Sequence, residues 1–531
     1  MQLRTIAAIA SLALLSVTSA AQKGIDNPMT QAVLKVYERL LQEDPTDWET
    51  WMARANEYYV HSEYLRSLND VDNALKHIPA DKKAERFDAL SLRANIYIET
   101  GRHNEALNDL NSALSISPSS YIALYQRANT LYTLGQYKEA SADYKRLQRL
   151  NPRSAEALVG LARIAVKENN LGTANELLDH AVQLDPNNSS YYVRRASVRK
   201  SMGLHRDAVD DLILAISIDS DNSRALQGLV DYGKTNYATV MAALSSAIQQ
   251  APNVGMFPYI RAVISQANYK YKAALDDFKL IIDKNLYDYH GIWASMAECQ
   301  FALGRFAEAL ATVDTAIAKD PHGASHYVLK AQILRALGEP QKAFDIALSA
   351  SVMNGGNNQG LIEMGLCCAS QQKWAEANTH FGEALLNDPT SPELLLLRAW
   401  VLGEHLNQPV AARGFCDQVT ELEGWDLDNV QSLKGFALLA NGNTEQAKVW
   451  MDNILGTVDD TNGFISFMGA RFYASAGDSD RAIQLTEKAL SLGFSNYYDW
   501  MYNKDGRFNL EPLRQDLRFL QLMNKYSILW N

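Results

Sequence analysis

The stretch RANTLYTLGQYKEASADYKRLQRLNP, residues 127–152, contains the pattern that decides the fold. Two small residues, Ala128 and Ala140, lie twelve positions apart, and Gly135 falls between them. Pro152 closes the stretch. Small residues let two helices approach closely, a glycine ends the first helix, and a proline stops the second. The stretch is therefore predicted to form one helical hairpin.

The same features recur along the chain with a period of 34 residues. The first alanine column is Ala94, Ala128, Ala162 and Ala196, the second is Ala106, Ala140, Ala174 and Ala208, and the prolines are Pro118, Pro152 and Pro186. A hairpin of this length cannot bury its apolar face alone and is stabilised by the next hairpin in a stack. Continuing the frame predicts an all-α superhelical solenoid of about thirteen hairpins between Asp47 and Leu492.

The columns resemble the tetratricopeptide repeat family, whose pattern is W-x2-L-G-x2-Y, then A-x3-F, then P. Trp51 and Tyr58 match the first part, Ala274 and Phe278 match the second, and Pro321 closes its unit. The chain resembles the exported bacterial members of the family. The resemblance implies that the first helix of each hairpin lines a concave groove, in which such proteins bind a protein or peptide.

A second regularity, independent of any family, is a set of arginine and aspartate residues separated by 16 positions. The pairs are Arg54 with Asp70, Arg93 with Asp109, Arg127 with Asp143, Arg195 with Asp211, and Arg261 with Asp277. The spacing predicts that each pair links the two helices of one hairpin. As exposed ion pairs they are expected to contribute about 0 to 1 kcal/mol each, so the prediction is a structural role and not a catalytic one.

Domain boundaries are predicted from where the pattern begins, changes and ends. The segments are a signal peptide at 1–21, a capping helix at 22–46, the array at 47–250, 251–355 and 356–494, and a C-terminal capping segment at 495–531. Irregular loops at 78–83 and 354–360 are candidate hinges, with ordinary longer loops as the alternative.

The first residues have the pattern of a secretory signal peptide. Arg4 precedes an apolar run from Ile6 to Leu15, and small residues follow up to Gln22. The run is shorter than the roughly 20 residues that a helix needs to span a membrane. We therefore expect export, most simply to a bacterial periplasm, with secretion or surface association as alternatives and no membrane segment in the mature chain.

Composition and motifs argue against several classes of function. The chain has 531 residues, is 47% hydrophobic, and carries a net charge of −11, which argues against nucleic acid as the main ligand. The match of Gly228 to Thr235 with a phosphate-binding loop lies inside a predicted helix and lacks the preceding strand. No catalytic residue, metal site or cofactor is predicted. The four cysteines are expected to be buried thiols, although a disulfide to Cys416 stays open.

The candidate binding residues lie mainly next to the first alanine column, on the side that the family resemblance assigns to the groove. They are Asn56, Asn95, Asn129, Tyr125, Tyr132, Arg163, Lys167 and Lys200. A ladder of side-chain amides can pair with an extended peptide backbone, and cations with rigid aromatic rings suit an acidic or C-terminal peptide. The alternative is a solvated surface without a ligand.

Further along the chain the same column becomes aromatic. Trp400, Phe436, Phe464 and Phe467 are a candidate apolar partner surface, if exposed, or part of the core, if buried. The overall prediction is a non-enzymatic protein-binding scaffold, as an assembly or adaptor factor in the cell envelope. The alternative is the substrate-platform subunit of a glycan-acting or cell-wall-acting enzyme complex.

Overall fold

The computed structural model describes residues 25, 27–287, 291–353, 358–422 and 428–531, so the predicted signal peptide lies outside the described residues. Within these ranges the regular structure is helical and includes no β-strand. Thirteen successive helical hairpins are present there, as the repeat period predicts. The chain divides between Asn222 and Ser223 into two compact units. This division falls one hairpin before the boundary predicted at residue 250.

Unit 1 contains a leading helix and five hairpins. Its helices are α1 Pro28–Glu43, α2 Trp48–Val60, α3 Tyr64–His77, α4 Lys83–Glu99, α5 His103–Ile116, α6 Tyr121–Thr133, α7 Tyr137–Leu150, α8 Ala155–Lys167, α9 Leu171–Leu184, α10 Ser189–Ser201 and α11 His205–Ile218. Helix α1 occupies the segment predicted as the N-terminal cap. The alanines of both columns are almost completely buried, which is why the helices pack closely at these positions.

Turns and caps set the limits of the helices. Gly135 follows α6 with a φ of +75°, the left-handed conformation that favours glycine. In the next hairpin Asn169 takes the same place with a φ of +58°, a conformation that asparagine tolerates. The side chains of Ser120 and Ser154 cap the start of α6 and α8 by accepting hydrogen bonds from backbone N–H groups.

The arginine and aspartate pairs are formed, and four of the five arginines, all but Arg54, also donate a hydrogen bond to the preceding hairpin. Arg127 donates two hydrogen bonds of 2.7 Å to Asp143 in its own hairpin and one of 2.9 Å to Asn111 in the hairpin before. Asp143 is only 5% exposed, so the expectation of exposed pairs is wrong. Four further arginines bind their aspartates with two bonds in the same way: Arg54, Arg93, Arg195 and Arg261.

Unit 2 contains eight hairpins and a C-terminal segment. Its hairpin helices are α12 Ser223–Thr235, α13 Tyr237–Gln250, α14 Met256–Ala267, α15 Tyr271–Asp283, α16 Gly291–Ala302, α17 Phe306–Lys319, α18 Ala324–Ala336, α19 Pro340–Val352, α20 Asn358–Ser370, α21 Trp374–Asn387, α22 Pro392–Trp400, α23 Pro409–Glu421, α24 Asp428–Ala440, α25 Thr444–Thr457, α26 Phe464–Ser475 and α27 Ser479–Ser491. Helix α22 continues as a π-helical turn over Val401–His405. The C-terminal segment carries α28 Tyr497–Met501 and α29 Leu517–Lys525.

The C-terminal segment returns to the early hairpins of unit 2. The Ser495 backbone N–H and hydroxyl both donate to the Tyr269 carbonyl oxygen, at 3.1 and 2.6 Å. The ring of Tyr498 packs on Phe301 of α16, with ring centroids 4.4 Å apart. The segment was expected to cap the last hairpin, and it also contacts hairpins more than 200 residues away in sequence.

An ion pair fixes the same segment further along. Arg335 of α18 binds Glu363 of α20 at 2.5 Å and Asp505 of the C-terminal segment at 2.5 Å. The Arg335 side chain is 9% exposed. Desolvation raises the pKa of Glu363 and opposes its ionisation, whereas Arg335 stabilises the ionised form. The buried guanidinium therefore holds two carboxylates from different parts of unit 2.

Candidate functional site: a basic groove in unit 1

The candidate groove of unit 1 is the surface formed by the residues that follow the first alanine column on neighbouring first helices. Ala55, Ala94 and Ala128 are fully buried, and the asparagine after each of them is half-buried or exposed. The first helices α6 and α8 pack against each other directly. The periodic sequence therefore places one polar side chain per hairpin on a continuous surface.

The asparagine amides of this surface form hydrogen bonds within the protein that the sequence did not predict. Asn129 Oδ1 accepts hydrogen bonds from the Tyr144 hydroxyl at 2.7 Å and from Arg163 Nη1 at 3.1 Å. Its Nδ2 donates to the Tyr125 carbonyl oxygen at 3.1 Å. Asn95 Oδ1 accepts from Gln126 of the next hairpin. These amides link neighbouring hairpins, so they do not form the free ladder that was expected.

The remaining predicted amide is also engaged. Asn56 is exposed, and its Nδ2 donates to the Met52 carbonyl oxygen at 2.9 Å within α2. Burial raises the pKa of the Tyr144 hydroxyl, which stays neutral and keeps donating to Asn129. Of the three asparagines, Asn129 therefore holds an aromatic and a basic side chain, Tyr144 and Arg163.

Arg163 is the cation that this network positions. Its guanidinium carbon lies 4.0 Å from the centroid of the Tyr132 ring, a cation–π contact. Tyr132 in turn packs against Tyr137, with centroids 5.4 Å apart. Within the described parts of the chain Arg163 forms no ion pair with a carboxylate, in contrast to the five arginines that bind aspartate. The guanidinium is therefore ordered by neutral groups, and no carboxylate of the described chain is paired with it.

A cavity of about 210 Å³ opens beside Arg163. Its wall combines apolar side chains from α8 and α9 with polar groups from α10; the lining includes Tyr132, Val159, Arg163, Val166, Leu171, Leu178, Arg194, Ser197 and Ser201. Arg194 and the two serines were missed in the sequence. Ser197 follows Ala196 as Arg163 follows Ala162. The position after the first alanine column, which predicted Arg163, could therefore have predicted Ser197 as well.

Lys167 and Lys200 lie at the C-terminal ends of α8 and α10 and are both exposed. Together with Arg163 and Arg194 they make this part of unit 1 basic, although the chain as a whole carries a charge of −11. The structure therefore brings together Tyr125, Tyr132, Asn129 and Arg163 by direct contact and leaves the two lysines at the margin.

The aromatic residues proposed as a partner surface in unit 2 lie mostly in its core. Phe436 and Phe467 are 1% and 3% exposed, so their assignment to an exposed surface is wrong. Phe436 packs on Phe508 and Phe467 on Phe494, both from the chain that follows the last hairpin. The physical reason is that the C-terminal segment covers these rings.

The two other predicted aromatic residues are partly buried. Phe464 stacks on Tyr269 with ring planes 5° apart and centroids 5.2 Å apart. Trp400 contacts Trp374 edge to face, with centroids 5.5 Å apart. Both rings therefore have partners within unit 2.

A metal site, a disulfide and a membrane-spanning helix are three further features to be sought in the described residues. Among the described residues, no group of three or more metal-ligating side chains is close enough to hold an ion. Cys299, Cys367, Cys368 and Cys416 are free and buried, so the proposed disulfide to Cys416 is not formed. No helix in the described ranges is long and apolar enough to span a membrane.

Two models of the tetratricopeptide repeat match the chain, one over residues 125–189 and 296–358 and a second over 94–135. Cellulose synthase operon protein C of Pseudomonas fluorescens is 26% identical over 38% of this chain. The mitochondrial import receptor subunit TOM70 of Homo sapiens is 24% identical over 38%. The alignments span 16% and 34% of the length of these two relatives.

Among solved structures, YrrB, described as a TPR protein with an unusual peptide-binding site, is 22% identical over 37% of this chain and 98% of its own, with a TM-score of 0.30. The matched repeat models lie on consecutive hairpins in both units, with the alanine columns and turns described above. The chain contains tetratricopeptide repeats in both units.

Proposed function

We propose that this protein is a non-enzymatic scaffold that binds an acidic segment of a partner protein in the basic groove of unit 1. The observation that carries the proposal is Arg163, which is ordered by Asn129 and Tyr132 without a carboxylate partner in the described chain. A carboxylate on a partner could form charge-assisted hydrogen bonds with this guanidinium, and such bonds are about twice as strong as neutral ones.

The cavity beside Arg163 supplies the second part of the recognition. Val159 and Val166 give it an apolar wall, and Ser197 and Ser201 give it hydroxyl groups. An apolar side chain next to a carboxylate would bury its surface there while the carboxylate meets Arg163. Lys167 and Lys200 would favour further acidic residues through longer-range attraction, which weakens as salt is added.

We further propose that the protein is exported and acts in the cell envelope, most simply in a bacterial periplasm, as an assembly or adaptor factor. The support is the apolar run at Ile6–Leu15 and the small residues before Gln22. Cell fractionation with sequencing of the mature N-terminus tests this part; a full-length chain in the cytoplasm would contradict it.

A second candidate is a substrate-platform subunit of a glycan-acting enzyme complex. Its support is the similarity to cellulose synthase operon protein C. The first candidate is preferred because the groove has an arginine and an apolar wall, which fit an acidic peptide better than a neutral glycan.

The test is a fluorescence-polarisation titration with short peptides that differ in charge and in whether the C-terminus is free or amidated. We expect acidic peptides to bind, and Arg163→Ala to weaken binding by about tenfold or more. Lys138→Ala, on the exposed face of the second helix α7, is the matched control and should bind normally. Equal affinity of the Arg163→Ala variant, or of acidic and neutral peptides, would contradict the proposal.

A further inference from the structure

A second cavity, of about 380 Å³, lies in unit 2 between first helices of successive hairpins and the C-terminal segment. Gln266 comes from α14, Glu298 and Phe301 from α16, and Gln332 from α18. Asn496 of the C-terminal segment completes the wall. The volume is within the range of about 300 to 1,000 Å³ that is usual for ligand pockets.

The charge of this cavity is opposite to that of the unit 1 groove. Glu298 is exposed to the cavity, and among the described residues that line it there is no lysine, arginine or histidine. Glu298 Oε2 accepts one hydrogen bond of 2.6 Å, from the neutral Gln266 side chain. Within the described ranges Glu298 forms no ion pair, whereas Glu363 of the same unit is paired with Arg335.

The surroundings of Glu298 disfavour its unpaired charge. Desolvation raises the pKa of this carboxyl, and the hydrogen bond from Gln266 offsets that effect only in part. A cation placed next to the carboxylate would stabilise its ionised form, because opposite charges at short distance attract each other.

The other groups of the cavity suit the same kind of ligand. Phe301, whose ring packs on Tyr498, lines the wall beside Glu298 and gives the cavity an aromatic surface for the aliphatic stem of a cationic group. The Gln332 amide makes no hydrogen bond with the described residues, so its oxygen is free to accept from an N–H donor. Asn496 is held in place, since its side chain donates to Asp499 at 2.6 Å.

We propose that this cavity binds a guanidinium or ammonium group on an aliphatic stem, with Glu298 as the counterion. The carrier of that group is either an arginine or lysine side chain of a partner or a free polyamine, which share this chemistry. The site is separate from the groove of unit 1, so its failure would leave the proposed function untouched. It gives the chain two recognition sites of opposite charge.

The test is calorimetric titration of the full-length protein with N-acetylarginine amide at low ionic strength, with N-acetylcitrulline amide as the uncharged analogue. We expect saturable binding of the arginine derivative only. Glu298→Gln keeps the shape of the side chain and should weaken binding by about tenfold or more. Glu308→Gln, an exposed glutamate of α17 outside the cavity, is the matched control and should bind normally.

Two further probes, the peptide Ala-Arg-Ala and spermidine, distinguish the sources. Tighter binding of the peptide assigns the site to a partner side chain, and tighter binding of spermidine assigns it to a free polyamine. Thermal unfolding of Glu298→Gln at the wild-type temperature would show that the variant is folded. Equal binding of the citrulline derivative, equal affinity of Glu298→Gln, or no saturable binding of any cation would overturn the proposal.

Discussion

Units 1 and 2 are built from the same hairpin but use their inner surfaces differently. In unit 1 Arg163 lies beside an open cavity and is held by neutral groups. In unit 2 Arg335 projects from a first helix and is buried against Asp505, which belongs to the C-terminal segment. Unit 2 therefore already contains what unit 1 is proposed to bind, a chain segment whose carboxylate meets an arginine.

A groove of this kind can hold an arginine side chain in two ways. An arginine whose carboxylate is supplied by the same chain can be buried completely, because the pair satisfies both charges. An arginine whose partner is another molecule has to stay hydrated until that partner arrives, and a cation–π contact orders it in the meantime. Arg335 represents the first case, and the proposed role of Arg163 would make it an example of the second.

The largest effect should follow from deleting residues 494–531. Phe436 and Phe467 would lose the rings of Phe508 and Phe494 that cover them, so unit 2 should lose its cooperative unfolding. Hydrogen exchange measured by mass spectrometry should rise in α14, α16, α24 and α26. Unit 1 is the internal control and should keep its protection; unchanged exchange in unit 2 would contradict the structural role of the segment.

A smaller loss is expected from Arg335→Met. The substitution leaves Glu363 and Asp505 without their cation, and breaking a buried pair in this way costs about 3 to 5 kcal/mol. The matched change in unit 1 is Arg127→Met, at a pair of which the arginine is 22% exposed, and should cost about 1 to 3 kcal/mol.

Urea unfolding followed by hydrogen exchange in each unit gives the two free energies of unfolding. We expect Arg335→Met to destabilise its unit more than Arg127→Met does. Equal losses would mean that the ion pair with the C-terminal segment is no more important for stability than an ion pair within one hairpin. Asp505→Asn is a further control, because it should reproduce part of the Arg335→Met loss without affecting unit 1.

The smallest effects concern two residues with the same left-handed backbone. Asn169 of unit 1 and Tyr269 of unit 2 have φ values of +58° and +59°. Asn169→Gly should change stability by no more than about 0.5 kcal/mol, since asparagine already tolerates this conformation. Tyr269→Gly should cost about 1 to 3 kcal/mol, because the loss of the rings of Phe464 and Phe494 outweighs the relief of backbone strain.

Chemical unfolding of each single variant measures these two changes in the free energy of unfolding. A stabilised Tyr269→Gly variant would mean that the ring contacts with Phe464 and Phe494 do not compensate for a bulky side chain in this conformation. A clear loss in Asn169→Gly would mean that the asparagine side chain has a role that its position at the turn does not explain.

The periodic part of the structure could be predicted from the sequence because local chemistry repeats with it. Ala128, Gly135 and Pro152 each act within one hairpin, and the 16-residue spacing of Arg127 and Asp143 follows from helix geometry. The burial of Asp143 and the further hydrogen bond from Arg127 to Asn111 of the preceding hairpin were missed, because both depend on how successive hairpins stack.

The return of the C-terminal segment could not be predicted in this way. The segment after Asn496 has no period, and its partners Tyr269, Phe301 and Arg335 lie 170 to 226 residues away in sequence. In the groove, the position after the first alanine column predicted Asn129 and Arg163 but not the hydrogen bond between them. The hydrogen bond from Tyr144 to Asn129 was also not predicted, because it depends on how the second helix packs.

The arginine contacts between hairpins restrict which hairpins of the array can be duplicated during evolution. Arg93 binds Asp72, two residues after Asp70, just as Arg127 binds Asn111, two residues after Asp109. The rule holds although the loop before α4 is longer, because both partners belong to helices and not to loops. Duplication of the whole hairpin α4–α5 would place the copied Arg93 beside Asn111, so its contact with the preceding hairpin would be kept. Duplication of α6–α7 would instead place the copied Arg127 beside Lys145, two residues after Asp143, and that contact would be lost. The residue two positions after each aspartate therefore decides which hairpins can be copied without the loss of an arginine contact.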